Sequence, residues 1–208
     1  MGKTVRIVGG NGAYLKMFEM YGWSSTLSLT NADLILFTGG ADVSPHLYGE
    51  EPHPHAFNDP MRDEAERSTY LLVGDKPKAG ICRGGQFLNV MNGGKMYQHV
   101  DKHGVAGTHK AIDVRSGREV QVSSTHHQMM RPGKGAETLC IASRSTFKEH
   151  MVEGSIYRVD GTTENDTEVV VYRDTNSLCF QPHPEFVANS EDYRECADYF
   201  FECLEEIL

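Results

Sequence analysis

The chain has 208 residues, 39% of them hydrophobic and 24% charged, the make-up of a globular protein long enough to bury a core. A formal net charge of -9 leaves no basic surplus for phosphate, which excludes a general nucleic-acid binder. No stretch approaches the roughly 18 consecutive apolar residues of a membrane span, and five cysteines with no CxxC pair argue for free thiols in a reducing, cytoplasmic setting.

The N-terminus lacks the apolar core of a secretion signal and runs straight into a predicted strand, VRIV at 5–8. The GGNG that follows lacks the third glycine and the Lys-Ser/Thr of a phosphate loop. In AYLKMFEMYGW apolar residues then recur at threes and fours, as in a helix. LILF (34–37) is a second strand, ending abruptly at Thr38-Gly39-Gly40, and a polar loop rich in proline and histidine fills 41–58. Asp59-Pro60 reads as an N-cap with proline at the first helical position, opening a helix through RDEAERSTYLL. AGIC (79–82) is a third strand, and GGQFLNVMNGG a helix closed by Gly93-Gly94.

Short apolar strands alternating with helices predict right-handed crossovers and a mostly parallel sheet flanked by helices. The second half is richer in strands (EVQVSS, ETLCIAS, SIYRV, EVVVYR, SLCFQ), which predicts extra antiparallel strands at one edge. A last helix is expected from about Asn189-Ser190, with Tyr193, Ala197, Phe200, Phe201, Leu204 and Ile207 as its apolar stripe. With no repeat or linker in view, residues 1–208 read as one α/β domain.

Gly80-Ile81-Cys82-Arg83-Gly84 has the G-x-nucleophile-x-G form of an elbow between strand and helix. Glycines there admit a crowded turn, the helix N-terminus favours a thiolate, and the Arg83 N–H points where an oxyanion would form. Taken alone, the stretch fits a glycine turn around a buried thiol equally well. A thiol nucleophile also needs a base with an orienting partner. His183 and Glu185, two apart on an extended segment stiffened by proline on each side, leave on the same side of the backbone and can act as that pair. The Gly40 N–H, at the carboxyl end of another strand, is a candidate second oxyanion donor.

His126 and His127 follow a strand and could touch substrate or serve as an alternative base. Two histidine groups come into question as metal sites, His46, His53 and His55 with Asp59 and Asp63, and His99, His103 and His109. Neither has a standard ligand spacing, so surface loop histidines and no metal are expected. Cys140, Cys179, Cys196 and Cys203 sit in strand or helix patterns and read as core.

The set GICRGGQ, HPE and the strand-ending GG resembles the class I glutamine amidotransferase-like superfamily. More narrowly, GGADVSPHLYG, RDEAE, GICRGGQFLNVMNGG, MYQ, STHHQ and QPHPE resemble its γ-glutamyl peptide hydrolase branch, including γ-glutamyl-γ-aminobutyrate hydrolases. The branch's Asp-Gly-x-Ile-Glu-Ala signature is not clear in 143–167, and Pro182 stands where an aromatic residue usually precedes His-Pro-Glu. The resemblance implies a flavodoxin-like α/β fold with Cys82 as nucleophile, His183 as general base and acid, and Glu185 as its orienting carboxylate. It implies Gly40 and Arg83 as oxyanion donors, Gln86 against the γ-glutamyl group, and His126 and His127 near the substrate.

The activity expected is hydrolysis of a γ-glutamyl amide through a thioester, without metal or organic cofactor. The small-molecule γ-glutamyl substrate is the expected partner, with a homo-oligomer open. A glutaminase subunit passing ammonia to a synthetase partner is the first alternative, and a non-enzymatic binding protein on the same fold the second.

Overall fold

The run at 5–8 forms β1 (Thr4–Val8), and the periodic segment after it becomes α1 (Gly12–Met20), which buries Tyr14, Met17 and Phe18. The computed structural model describes residues 2–10, 12–161 and 163–208. After the short β2 (Ser24–Ser25), LILF forms β3 (Leu34–Phe37), buried along its whole length as a central parallel strand must be. α2 (Pro60–Val73) begins where its capping signal predicts, the Asp59 side chain accepting the Arg62 N–H at 3.1 Å. β4 (Lys78–Ile81) leads directly into α3 (Arg83–Met91).

Strands then dominate: β5 (Lys95–Tyr97), β6 (His99–Val100), β7 (Gly104–Asp113), β8 (Glu119–Thr125), β9 (Met129–Arg131) and β10 (Glu137–Ala142). They continue as β11 (Lys148–Val152), β12 (Ser155–Val159), β13 (Thr167–Tyr172) and β14 (Ser177–Phe180). The closing helix α4 (Arg194–Leu204) starts later than expected, because Ser190 caps a separate 3-10 turn over Glu191–Tyr193.

Nine strands form one sheet in the order β2-β1-β3-β4-β14-β13-β10-β7-β8. Pairings from β2 to β14 are parallel, and those from β14 to β8 antiparallel. The expected antiparallel extension therefore exists, with one exception. SIYRV, as β12, pairs with β11 in a separate three-stranded sheet. Strand β7 carries no periodic signal, because GVAGTHKAID mixes polar and apolar residues without alternation.

Side-chain alternation sends Leu34 and Leu36 to a core under α1 and α4, and Ile35 and Phe37 to a second core under α3. The carboxyl ends of β1, β3, β4 and β14 lie at one edge, which brings the loops at 38–44 and 181–185 beside the start of α3. Among the described residues, no helix is long and apolar enough to cross a membrane.

Candidate active site

At the junction of β4 and α3, Cys82 adopts φ 51° and ψ -113°, a strained conformation for a residue with a side chain. Its N–H donates to the Phe180 carbonyl at 2.7 Å, locking the elbow to β14. The flanking glycines are required sterically: a Cβ at Gly80 would fall on the Gly84 backbone, and one at Gly84 on the Phe37 carbonyl. The thiol is 8% exposed and receives the Gln181 amide at 3.8 Å. All five cysteines are free, and the other four are buried as expected.

His183 faces the thiol from the β14 side. Its Nδ1 lies 2.7 Å from Glu185 Oε1, the Phe186 ring stacks on the imidazole at 4.9 Å, and its backbone N–H donates to Ser123 Oγ at 2.6 Å. Burial alone would lower its pKa. Attraction and hydrogen bonding to Cys82, with Glu185 behind, outweigh that and push it up to about 11. The setting thus favours the protonated form of His183.

The loop after β3 presses on the same histidine. A Cβ at Gly39 would stand 2.9 Å from His183 Cε1 and 3.0 Å from the Tyr14 hydroxyl. Gly39 N–H donates to that hydroxyl at 3.1 Å, whereas the Gly40 N–H has no partner among the described residues. The Arg83 N–H belongs to the first turn of α3, whose amides lack intrahelical acceptors.

A buried ionic frame holds both loops. Arg62 donates to the carbonyls of Gly39 (3.0 Å) and Thr38 (2.8 Å) and to Glu66 (2.8 Å). The Arg83 guanidinium bonds Glu66 and Asp63, and Asp63 accepts the Ser44 N–H at 3.0 Å. Arg83 thus offers its N–H to the site and its side chain to α2. The RDEAE spacing carried the signal for this frame, since Arg62 and Glu66 share one helix face. Tyr14 and Ser123 had no readable motif, and Gln181, though it opens QPHPE, was not singled out.

Gln86 is buried, donating to Gln181 Oε1 at 3.1 Å and to the Gln128 carbonyl at 3.3 Å. His127 is half-exposed, with Nε2 2.9 Å from Asp42, a bond that raises its pKa. His126 lies away from it, its Nδ1 2.8 Å from the Gln128 carbonyl, and burial pushes it down to about 4.

The expectation of surface histidines fails for His53, His103 and His109, which are buried, and His126, the candidate substrate contact, is buried as well. The first grouping does not assemble either, because Asp59 caps α2 and Asp63 is committed to Arg83. The 41–58 loop is instead pinned by Asp42, which accepts the Phe57 N–H at 2.7 Å, and by Gln98, which accepts the His53 N–H at 2.8 Å. Beside it lies a cavity of about 670 Å³, bordered by Glu50, Lys95, Arg131 and His150 and by none of Cys82, His183 or Glu185.

Residues 4–185 match the Peptidase C26 family. A glutamine amidotransferase-like protein of Lactococcus lactis is 32% identical over 187 residues, covering 79% of this chain and 71% of that protein. Other curated relatives share about half of their length or less with the chain. A glutamine amidotransferase structure from Thermotoga maritima superposes with TM-score 0.61 at 16% identity, covering 99% of this chain and 84% of that one. The structure of a GMP synthase component from Thermoplasma acidophilum gives 0.55 at 14% identity, covering 99% of this chain and 98% of that one. These solved structures share the α/β architecture. An elbow cysteine facing a His-Pro-Glu segment on this sheet, with the family match running through both, makes the chain a member of the Peptidase C26 family, within the class I glutamine amidotransferase-like superfamily.

Proposed function

We propose that the chain hydrolyses a γ-glutamyl amide through a thioester on Cys82. The observation that carries this reading is the geometry of His183, held between the Cys82 thiol and the Glu185 carboxylate at the elbow. The Cys82 thiolate attacks the γ-carbonyl carbon, and the oxyanion is met by the free N–H groups of Gly40 and Arg83. His183 gives its proton to the departing amine as the C–N bond breaks, leaving a γ-glutamyl thioester. The neutral imidazole then takes a proton from water, whose oxygen attacks the thioester and releases glutamate, and thiolate and imidazolium return. Gln86, whose amide meets Gln181 Oε1 next to the Cys82 thiol, is the proposed contact for the γ-glutamyl group, with His127 as a second.

The test is a screen of γ-glutamyl amines with free glutamine included, watching for a γ-glutamyl adduct on Cys82 by mass spectrometry. Cys82→Ala is expected to lose at least about 10⁴-fold in turnover with its circular dichroism unchanged. Retained hydrolysis in that variant would overturn the mechanism.

A second reading follows from the 32%-identical amidotransferase-like relative: a glutaminase subunit that passes ammonia to a synthetase. The same residues would serve. Such a subunit would be nearly silent on glutamine alone and wake with its partner, whereas a free-standing hydrolase cleaves γ-glutamyl amines unaided.

A further inference from the structure

In the antiparallel half of the sheet, His103, His109 and Glu168 converge in the interior, and each offers a ligand atom within 4.8 Å of the others. His103 and Glu168 are fully buried, and only His109 reaches the surface, by a small part of its ring. Three further details bear on what this cluster holds.

The first is the direction of the lone pairs. His103 Nε2 lies 2.9 Å from Asp166 Oδ2, so the carboxylate takes the N–H and leaves Nδ1 bare. Among the described residues that Nδ1 has no hydrogen-bond partner, and it stands 3.7 Å from Glu168 Oε1. His126 is arranged in the same sense: Nδ1–H donates to the Gln128 carbonyl, and the buried, unpartnered Nε2 stands 3.9 Å from Glu168 Oε2. A carboxylate or carbonyl behind one ring nitrogen, with the other nitrogen left open, is how proteins orient imidazoles toward a metal.

The second is charge. Asp166 is balanced by the buried ammonium of Lys148. Among the described residues, Glu168 pairs with no arginine or lysine, only with His109 at 2.9 Å and the two more distant imidazoles. A fully buried carboxylate is stable only when paired or coordinated, and among the described residues Glu168 Oε2 has no hydrogen-bond partner. The third is donor type. Imidazole nitrogens with a single carboxylate suit zinc-like ions, whereas magnesium and calcium need oxygen-rich shells.

We propose that His103 Nδ1, His109 Nε2, Glu168 and His126 Nε2 form a structural site for a divalent transition metal of the zinc type. Loading breaks the His109 Nε2–Glu168 hydrogen bond, the ring's proton passing to the unpartnered Nδ1, and small side-chain movements close the four donors on the ion. The ion would tie β7 to the start of β13. Glu168 also accepts the Gln181 N–H through its carbonyl at 2.8 Å, so the site braces the strand end beside Cys82. The histidine spacing alone concealed this set, because Glu168 lies 59 residues from His109.

The experiment uses the full-length metal-free Cys82→Ser protein, so that the elbow thiol cannot compete, titrated with Co²⁺. One equivalent is expected, with the visible bands of four-coordinate cobalt, displacement by Zn²⁺ and a higher Tm. Glu168→Gln and His103→Gln should each abolish stoichiometric binding while circular dichroism reports a folded chain. If either fails to fold, X-ray absorption on the zinc-loaded wild-type protein decides, with a nitrogen and oxygen shell containing imidazole expected. Absence of stoichiometric cobalt, full binding retained in folded Glu168→Gln, or a sulfur ligand would each overturn the assignment.

Discussion

The two halves of the large sheet place their polar chemistry in opposite positions. In the parallel half, β3 buries only apolar side chains and β4 buries Ala79 and Ile81, with the Lys78 ammonium turned onto the Gly74 and Lys76 carbonyls at the strand's start, and the reactive groups stand beyond the strand ends, at Gly39-Gly40, Cys82 and His183. In the antiparallel half the strands carry charge into the interior: His109 lies on β7 and Glu168 on β13, with Asp166 just outside β13 and Lys148 on β11 of the neighbouring small sheet. Loops beyond strand ends can be re-aimed without unpacking a core, whereas charge within strands is inseparable from folding. Damage to the first region should therefore cost activity, and damage to the second should cost stability.

The sharpest test of that division is Glu185→Gln. Oε1 of Glu185 orients the His183 ring and stabilises its proton. The amide keeps the shape and removes the charge, so kcat should fall roughly 10³-fold, about 4 kcal/mol in the barrier. The melting temperature should stay near that of the wild type. A kcat within tenfold of wild type would dissolve the proposed role of Glu185.

Lys148→Met should show the reverse. The buried ammonium donates to Asp166 and to the carbonyls of Thr146 (3.3 Å) and Glu164 (2.9 Å). Removing it strands a buried carboxylate, at a cost of about 3–5 kcal/mol in urea unfolding. Turnover per folded molecule should survive. If unfolding shifts by less than about 1 kcal/mol, charge does not hold the antiparallel interior together.

The same division explains what could be read from the residues. The elbow, the HPE segment and the Asp59-Pro60 cap are contiguous, so local backbone chemistry announces them. Glu168 and its histidines meet only through strand pairing, and in sequence TEVVVY reads as an ordinary apolar strand. Tyr14 was hidden differently, since its place in the helical stripe of α1 marked it as core. Its ring does pack in the core, yet its hydroxyl accepts the Gly39 N–H, and burial with the Glu185 charge holds the phenol protonated far above its usual range. Tyr14→Phe leaves the Gly39 N–H without its acceptor, a cost of about 1–3 kcal/mol concentrated on the loop that carries the Gly40 N–H. A fall in kcat of roughly tenfold is expected. A change in KM alone would remove Tyr14 from the positioning of that loop.

The smallest effect lies at the rim, where the two halves meet through His127 and Asp42. Asp42 Oδ1 lies 2.9 Å from His127 Nε2 and raises the histidine above its ordinary pKa, so the folded state binds the proton more tightly than the unfolded chain does. The pair's contribution is then complete below about pH 6.5 and fades as the pH rises through the raised value. Because the His127 side chain is 45% exposed, solvent screening keeps the whole contribution under about 1 kcal/mol. The difference in stability between the wild type and His127→Gln should be largest at pH 5.5 and should shrink by pH 8.5. Asp42 has a second duty, accepting the Phe57 N–H through its other oxygen, so Asp42→Asn should add a loss that does not vary with pH. A His127→Gln difference that grows toward alkaline pH would mean the imidazole is bound as a neutral ring, and that the rim is tied by geometry alone.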